Sequence, residues 1–481
     1  MKNVITLIGC AVSALAMWSC AGSGVAESGF VHVSTTNDAQ WTVATAPVES
    51  SAEAWTLSLD TAKKAQQIDG FGGCFNELGW TSLSLLSDAD REAVMQELFA
   101  PGKGGNFSIC RMPVAANDFS RQWYSYNEVT DDFGMYNFSI DNDRATLIPF
   151  IKNAKVYNPD IRIWASPWCP PTWMKHNDHY ASNYNGDNNE AAYRNGLPKE
   201  RVGYEGTDMF KVEPEYLKAY ALYFKKFIQE YRKEGIQIFG VMPQNEFNSP
   251  QVFPSCCWTA KGLATFVGDY LGPAMAEEKV KVMFGTMERP NHLLVDTILQ
   301  DPKASKYISA VGFQWAGRDA IGKIHEAYPD MPLYQTEQEC GDGQNNWNGA
   351  VHSWNLLKHY MDNGVSVYDY WNISLLQGGI SRWGWAQNSL VVVNPEDKTY
   401  RYTLEYYVMK HISHFVQHGA YNLKLSGDAA GNCLAFVNPD HSLVVLAAEK
   451  DGKDRTLTFE FGGKTHKIAV KANSFNTICL K

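Results

Sequence analysis

The sequence lacks the motifs of several common enzyme classes. It contains no Gly-x-Ser-x-Gly elbow and no His-Glu-x-x-His pair, which leaves serine hydrolases of that type and zinc proteases without support. Gly70-x-Gly72-Gly73 has neither the spacing nor the following helix of a dinucleotide-binding loop. No two cysteines have Cys-x-x-Cys spacing, so the sequence predicts no structural zinc, and we expect no metal or cofactor.

Positive charge and long apolar runs are also scarce. Lys and Arg number 42 against 52 Asp and Glu, and the formal net charge is −10. A nucleic-acid-binding domain would carry a basic face or stripe, so we expect no nucleic-acid partner. Beyond residue 20, no run approaches the roughly 18 consecutive apolar residues that a membrane-spanning helix requires.

Residues 1–20 predict a targeting segment rather than a part of the fold. The apolar stretch from Val4 to Met17 is too short to span a bilayer, and Lys2 supplies a positive end. Ser19-Cys20 is similar to a bacterial lipoprotein cleavage site, which would place a lipid tether to a membrane on Cys20. Met17 departs from the small residues usual there, so plain secretion is the alternative. We expect an exported protein that is periplasmic, held at the outer membrane or secreted.

The eight cysteines after Cys20 show no spacing typical of a small disulfide-bonded domain. Four of them lie at or just after predicted strands, and buried free thiols are expected there: Cys74, Cys110, Cys169 and Cys340. Cys256 and Cys257 are adjacent in a predicted loop, where a disulfide or a reactive pair is the less favoured alternative.

Between residues 66 and 410, short apolar runs alternate with amphipathic stretches. The predicted strands are Ile68–Phe75, Phe107–Val114, Arg162–Trp168, Ile236–Glu246, Val280–Met287, Ile308–Trp315, Pro332–Glu337 and Val365–Asn372. Helical periodicity is clearest at Asp88–Phe99, Asp141–Val156, Glu213–Arg232 and Leu404–Phe415. Eight strands alternating with helices predict a closed (β/α)8 barrel, and a doubly wound open sheet is the alternative.

Both ends of the chain, residues 28–65 and 411–481, have the alternating pattern of half-buried strands. Val31 and Val33 alternate with polar residues near the start, as do Leu457, Phe459 and Phe461 near the end. A half-buried sheet needs a partner for its apolar face. We therefore predict a β-sandwich side domain that is built from the N- and C-terminal strands together.

Two glutamates end predicted barrel strands. Glu246 closes the fourth strand and Glu337 closes the seventh. Barrel enzymes keep their chemistry at the carboxyl ends of the strands. Cleavage of a glycosidic bond with retention needs two carboxyls about 5–5.5 Å apart, one to protonate the leaving oxygen and one to attack the anomeric carbon. The sequence therefore predicts that these two residues meet and cut a glycosidic bond.

The chain resembles glycoside hydrolase family 30, which includes lysosomal glucosylceramidase and microbial β-1,6-glucanases. The matching segments stand in family order across residues 66–375: Ile68-Asp69-Gly70-Phe71-Gly72-Gly73, Arg111-Met112-Pro113, Asn117-Asp118-Phe119-Ser120, Ala165-Ser166-Pro167-Trp168, Pro171-Thr172-Trp173-Met174-Lys175, Gln244-Asn245-Glu246, Thr336-Glu337 and Asp369-Tyr370-Trp371-Asn372. The resemblance implies the same barrel and side domain.

The resemblance also implies roles for individual residues. Glu246 would be the general acid/base and Glu337 the nucleophile. The residues that would bind the substrate are Asn245, Asp118, Trp168, Trp371, Arg111, Gln314 and Trp315. Gln314 departs from the glucosylceramidase branch, which has a histidine before this tryptophan. Glu339, two residues after Glu337, is the rival for nucleophile because it could face the same side of a strand.

The function favoured by this set is a retaining β-glycosidase that acts on glucose-containing carbohydrate, foremost β-1,6-glucan. Glucosylceramide is an alternative substrate, as are xylosides, fucosides and galactosides. A carbohydrate-binding protein on an inactive barrel is the alternative from another class, and it would require one of the two glutamates to be misplaced.

Overall fold

The computed structural model describes residues 29–48 and 50–481, and in these residues eight parallel strands close into a barrel. In chain order the barrel strands are Gly70–Cys74, Ile109–Val114, Arg162–Pro167, Ile238–Val241, Lys281–Met287, Ile308–Gln314, Leu333–Glu337 and Val365–Asn372. The eighth strand returns to pair with the first, Val367 opposite Gly70. The predicted (β/α)8 barrel is confirmed, and the open-sheet alternative is wrong because the ring is closed.

Helices connect the strands and pack around the barrel. They are Glu77–Leu83, Asp88–Phe99, Asp141–Arg144, Leu147–Tyr157, Pro214–Lys233, Ala260–Phe266, Gly272–Glu278, Leu293–Leu299, Ile321–Ala327, Trp347–Asp362 and Leu404–Ser413. The Asp88–Phe99 helix has the predicted bounds because Ser87 caps it, its hydroxyl accepting a hydrogen bond from the backbone nitrogen of Asp90. Of the described helices, none is long and apolar enough to cross a bilayer.

The predicted helix Asp141–Val156 is interrupted at Thr146. This residue has φ −138° and ψ −76°, outside the helical region, and separates two shorter helices. Its hydroxyl donates a hydrogen bond to the carboxylate of Glu77, which is fully buried. Arg121 and Asn142 donate to the same carboxylate, so Thr146 adds a further donor to a buried charge that is costly to leave incompletely paired.

The inside of the barrel is filled by side chains rather than open. Its core consists of Ile109, Trp164, Met242, Met283, Ala310, Tyr334 and Val367. The first two strands approach closely at Gly72, where an added Cβ would lie 1.7 Å from the carbonyl oxygen of Ile109. The Gly-Phe-Gly-Gly segment therefore serves tight strand packing, and the site must lie above this core at an end of the barrel.

The side domain is built from both ends of the chain. Its strands are Phe30–Thr36, Thr42–Ala44, Glu53–Thr56, Ser58–Gln67, Tyr421–Ser426, Cys433–Val437, Leu443–Glu449, Arg455–Phe461, Lys464–Val470 and Ser474–Leu480. Among the described residues, seven of them form one sheet and three a second. Trp55 and Leu457 from the small sheet share an apolar core with Val445 and Ile478 from the large sheet. The predicted β-sandwich is confirmed.

Three short strands follow the barrel and form a small sheet of their own: Ser374–Leu376, Val391–Val393 and Tyr400–Tyr402.

The domain bounds 28–65, 66–410 and 411–481 stay predictions. The targeting segment 1–20 and its Cys20 lie outside the described residues. The side chains of Cys256 and Cys257 are buried free thiols, as are those of Cys74, Cys110, Cys169 and Cys340, so the adjacent pair forms no disulfide.

Candidate active site

A cavity of about 410 Å³ lies at the carboxyl ends of the barrel strands. Its volume falls within the roughly 300–1,000 Å³ typical of small-molecule sites. Six of the predicted site residues line it: Asp118, Trp168, Asn245, Glu246, Trp315 and Glu337. The strand ends thus bring together side chains that are up to 219 positions apart in the chain.

The two predicted catalytic carboxyls share one hydrogen-bond donor. Nε2 of Gln314 donates to Oε1 of Glu246 and to Oε2 of Glu337, at 3.1 Å in each case. Two oxygens that contact the same nitrogen are separated by no more than twice that distance. The spacing suits the carboxyls of retaining glycosidases, about 5–5.5 Å apart, better than those of inverting enzymes, about 6.5–9.5 Å apart.

Glu337 is surrounded by donors that favour its charged form. Arg111, which is fully buried, donates from Nη1 to Oε2 of Glu337 at 3.1 Å. The indole nitrogen of Trp315 donates to Oε1 at 3.0 Å, and Gln314 supplies the third bond. Charge-assisted hydrogen bonds of this kind stabilise a carboxylate and hold it in one orientation. The arrangement therefore favours a carboxylate that is held in one orientation.

Arg111 is itself held by several acceptors and rings. It donates to Gln314 Oε1, Thr336 O, Asn245 Oδ1 and Ser166 Oγ at 2.7–3.2 Å. Its guanidinium carbon lies 4.4 Å from the ring centroid of Trp168 and 5.3 Å from that of Trp371. Arg111, Gln314 and Trp371 are absent from the cavity lining, so they support the lining residues from behind.

Glu246 does not end a strand, contrary to the prediction. The fourth strand ends at Val241, because Pro243 has no backbone N–H with which to continue the ladder. Glu246 has φ +43°, a conformation that is unfavourable for a side chain larger than glycine. Its backbone nitrogen donates to the hydroxyl of Thr286 at 3.0 Å, and its Oε2 accepts from Gln251 at 3.2 Å. These contacts hold the carboxyl beside Glu337.

The pair of carboxyls carries a proton near neutral pH. Burial raises the pKa of Glu337 to about 7, while Arg111 opposes this rise and the charge of Glu246 adds to it. Burial also raises the pKa of Glu246, against the hydrogen bonds from Gln314 and Gln251. Because two close carboxylates resist double ionisation and the guanidinium lies on Glu337, the proton is favoured on Glu246.

Asp118 and Asn245 present polar groups to the cavity. Asp118 is 5 % exposed, and its Oδ1 accepts no hydrogen bond from the described residues. Burial, followed by the charges of Glu337 and Glu246, raises the pKa of Asp118 well above its usual range. Oδ1 of Asn245 accepts from Arg111 and Thr286, which turns its amide nitrogen away from the arginine. Both side chains can therefore bind the hydroxyls of a ligand.

Glu339, the rival for nucleophile, faces elsewhere. Its carboxylate pairs with Arg318 and, at 3.2 Å, with Nε2 of His352. It lines a separate pocket, because strand alternation ends at Glu337.

Across residues 29–48 and 50–481, no group of three or more His, Cys, Asp or Glu side chains is placed to hold a metal ion.

Several residues of the cavity lining were not predicted from the sequence. Glu288 follows the fifth predicted strand directly, one position beyond the kind of strand end at which Glu337 closes the seventh, so a similar signal could have found it. Gln251 and Trp385 lie in loops without periodicity, where nothing in the sequence indicates which side chains reach the cavity.

The sequence was compared with known families and proteins. Residues 68–416 match the family model described as the glycosyl hydrolase family 30 TIM-barrel domain. The chain belongs to glycosyl hydrolase family 30. This confirms the resemblance and makes the protein a glycoside hydrolase, which leaves the inactive-barrel alternative without support.

This family 30 chain is similar to a glucosylceramidase and to β-1,6-glucanases. The lysosomal acid glucosylceramidase of Mus musculus is 27 % identical over 435 residues, which cover 84 % of this chain and 78 % of the relative. The endo-1,6-β-D-glucanase BGN16.3 of Trichoderma harzianum is 25 % identical over 442 residues, 85 % and 84 % of the two chains. The endo-β1,6-glucanase BT3312 has the same fold, with a TM-score of 0.79, 24 % identity, and 94 % and 99 % coverage.

Above neutral pH, the buried carboxyls in the site of this family 30 enzyme are expected to lower the free energy of unfolding. Because burial raises the pKa of Glu337 to about 7 and raises that of Glu246 as well, the stability contribution of the protonated pair is present at low pH and lost as pH rises through about 7. Glu337→Gln should raise the free energy of unfolding by roughly 1–3 kcal/mol at about pH 8 and leave it unchanged at about pH 4. Urea denaturation at both pH values measures the difference.

The matched control is Glu339→Gln, which removes a carboxylate of the neighbouring pocket. It should show no gain that grows with pH. A gain of equal size at both pH values for Glu337→Gln would contradict the assignment of the effect to this titration.

Proposed function

We propose that this hydrolase cleaves β-linked glucosides with retention by double displacement, and that β-1,6-glucan is its preferred substrate. Glu337 acts as nucleophile and Glu246 as general acid/base. The observation that carries the proposal is the hydrogen bonding of both carboxyls to the single amide nitrogen of Gln314 within one cavity. This spacing leaves no room for the intervening water of an inverting mechanism.

In the first step, a carboxylate oxygen of Glu337 forms a bond to the anomeric carbon while the bond from that carbon to the leaving oxygen breaks. Glu246 gives its proton to that oxygen, and the leaving sugar departs as an alcohol. Arg111 and Trp315 keep Glu337 charged and oriented for the attack. The product is a glycosyl ester of Glu337.

In the second step, water attacks the anomeric carbon and Glu246, now ionised, takes a proton from it. The bond to Glu337 breaks, and a sugar with the original β configuration is released. Asn245 and Asp118 bind hydroxyls of the sugar that stays, Asn245 through the 2-hydroxyl. Trp168 supplies an apolar wall for the same ring, with Trp371 stacked behind it at 5.3 Å.

The choice of glucan over glucosylceramide is supported by the side of the cavity next to Glu246. The relatives of this chain include a glucosylceramidase and an endo-1,6-β-D-glucanase. A ceramide leaving group carries long hydrocarbon chains and needs an apolar surface, whereas Gln251, Glu288 and Arg289 add polar groups to a lining that also holds the rings of Phe253 and Trp385. Polar groups beside aromatic rings suit a sugar. A leaving group with hydroxyls fits better.

We also propose that the enzyme is exported, with residues 1–20 as its leader and a lipid on Cys20 as its tether.

Digestion of β-1,3-, β-1,4- and β-1,6-glucans with products followed over time tests this proposal. We expect the β-1,6-linked polymer to be cleaved at least about tenfold faster than the others, because the wrong linkage misplaces hydroxyls against buried polar groups. NMR of the fresh product should show the β anomer first.

Preferred cleavage of glucosylceramide, of another glycan in the panel, or of a xyloside, fucoside or galactoside would contradict the substrate assignment. Early appearance of the α anomer would contradict double displacement. Glu337→Ala, which lacks the nucleophile, is the control for contaminating activity.

A further inference from the structure

Glu288 is a carboxyl of the cavity that the two-step reaction does not use. It follows the fifth barrel strand, Lys281–Met287, directly. Thr286, two residues earlier, contacts both Asn245 and Glu246. Glu288 lies one position beyond the strand end and lines the same cavity as Asn245 and Glu246.

The backbone around Glu288 is held in place by the neighbouring loop. A Cβ added at Gly317, which follows the sixth strand, would lie 2.0 Å from the carbonyl oxygen of Met287. Only glycine permits this approach, so the loop packs directly on the peptide that precedes Glu288. The carboxyl is therefore presented by a fixed strand end and not by a mobile loop.

The carboxyl of Glu288 is buried without a full set of partners. The residue is 3 % exposed and lines the cavity, and its Oε1 accepts no hydrogen bond from the residues that the structure describes. That oxygen lies 3.6 Å from Nη1 of Arg289, and Nε of the same arginine donates to Oε2 of Glu205 at 3.1 Å. Buried polar groups in folded proteins are nearly always hydrogen-bonded, so this one indicates a ligand group that completes it.

The position of Glu288 relative to the two catalytic carboxyls identifies the ligand group. The fifth strand, which Glu288 follows, pairs with the fourth, from which the chain leads to Glu246, and its Thr286 accepts a hydrogen bond from the Glu246 backbone. Glu337 ends the seventh strand, which is not a neighbour of the fifth, and its charge acts on Asp118 more strongly than that of Glu246 does. The acid/base lies beside the leaving oxygen and the nucleophile beside the anomeric carbon. Glu288 therefore lies on the side of the leaving group, and Asp118 on the side of the retained sugar.

We propose that Glu288 binds a hydroxyl of the leaving sugar and thereby makes the enzyme select saccharide leaving groups over apolar ones. The inference rests on the proposed function. Burial, together with the charge of Glu246, raises the pKa of Glu288 well above its usual range. A carboxyl accepts a hydrogen bond when it is ionised and can also donate one when it is protonated, so either form of Glu288 can bind a hydroxyl. Arg289 and Gln251 complete the polar wall around it.

The test compares two substrates with the same retained sugar, one with a sugar leaving group and one with a 2,4-dinitrophenyl leaving group. The measured quantity is the ratio of their kcat/KM values. Glu288→Leu should lower this ratio about tenfold or more, because the hydroxyl loses its partner and faces an apolar side chain. Glu288→Gln should keep it within about threefold, since a neutral amide also donates and accepts.

Glu205→Gln is the matched control. It removes a carboxylate from Arg289 outside the cavity lining and should leave the ratio as in the wild type. Glu288→Ala replaces the leucine variant if that variant does not fold, with the same expected fall.

Two results would overturn the inference. One is an unchanged ratio in Glu288→Leu. The other is an equal fall in kcat/KM on both substrates in the leucine and glutamine variants, with a shifted alkaline limb, which would mean that Glu288 acts through the charge of Glu246. The ratio is measured with whichever retained sugar the wild type hydrolyses. A wrong sugar assignment therefore changes the substrate pair and leaves the role of Glu288 to be decided separately.

Discussion

Glu337→Ala is expected to lower kcat on a 2,4-dinitrophenyl β-glucoside by roughly 10⁴-fold or more, because the group that attacks the anomeric carbon is gone. Azide should restore turnover, since this small anion fits the space left by the side chain and attacks from the same face. The product should be the α-glycosyl azide, identified by NMR. Circular dichroism should show a retained fold, because Arg111 keeps its bonds to Thr336 and Asn245.

The neighbouring acid provides the matched control for this result. Glu339→Ala removes a carboxylate two positions away that pairs with Arg318 and His352 in another pocket. It should keep kcat within about threefold of the wild type and show no response to azide. Loss of activity in Glu339→Ala, together with full activity in Glu337→Ala, would reverse the assignment of the nucleophile.

Glu246→Gln is expected to separate substrates by their leaving group. On a glucan oligosaccharide kcat/KM should fall by roughly 10²–10⁴-fold, because the leaving oxygen receives no proton in the transition state. On a 2,4-dinitrophenyl glucoside kcat/KM should change little, since that leaving group departs without protonation. Steady-state kinetics on both substrates measures the separation.

The pH profile gives the second readout for Glu246. In the wild type, activity on the oligosaccharide should fall on the alkaline side as Glu246 loses its proton, and on the acid side as Glu337 gains one. In Glu246→Gln the residual activity on the oligosaccharide should lack the alkaline limb while the acid limb stays. With azide, Glu246→Ala should give the β-glycosyl azide, opposite to the product of Glu337→Ala. An equal loss of kcat/KM on both substrates would contradict the role of acid.

The barrel could be predicted because its strands are buried on both faces and its helices have one apolar side. Leu333–Glu337 and Val365–Asn372 each differ by at most one residue from their predicted bounds. The helix predicted at Asp141–Val156 was too long, because its periodicity contains no sign of the buried Glu77 that draws Thr146 out of the helix. Local patterns indicate elements, and tertiary partners decide where they are interrupted.

The site could be predicted where function follows a strand end and not where it depends on loops. Glu337 lies where its strand ends, as expected. Glu246 reaches the same cavity by a different route, across a loop with positive φ whose shape depends on Thr286, forty residues away. Trp385 lies in a loop beyond the last barrel strand and lines the cavity. The residues of that loop do not indicate how far it extends or in which direction it runs.

The first strand of the side domain, Phe30–Thr36, pairs along its whole length with the last, Ser474–Leu480. During synthesis the first strand is made more than 430 residues before its partner, so the ladder between them closes only after Ser474–Leu480 has been made. Until then an unpaired, apolar edge is exposed to other chains, a known hazard of large proteins. Completion of the side domain should therefore be the last stage of folding, and shortening either end of the chain should leave the opposite end without its neighbour.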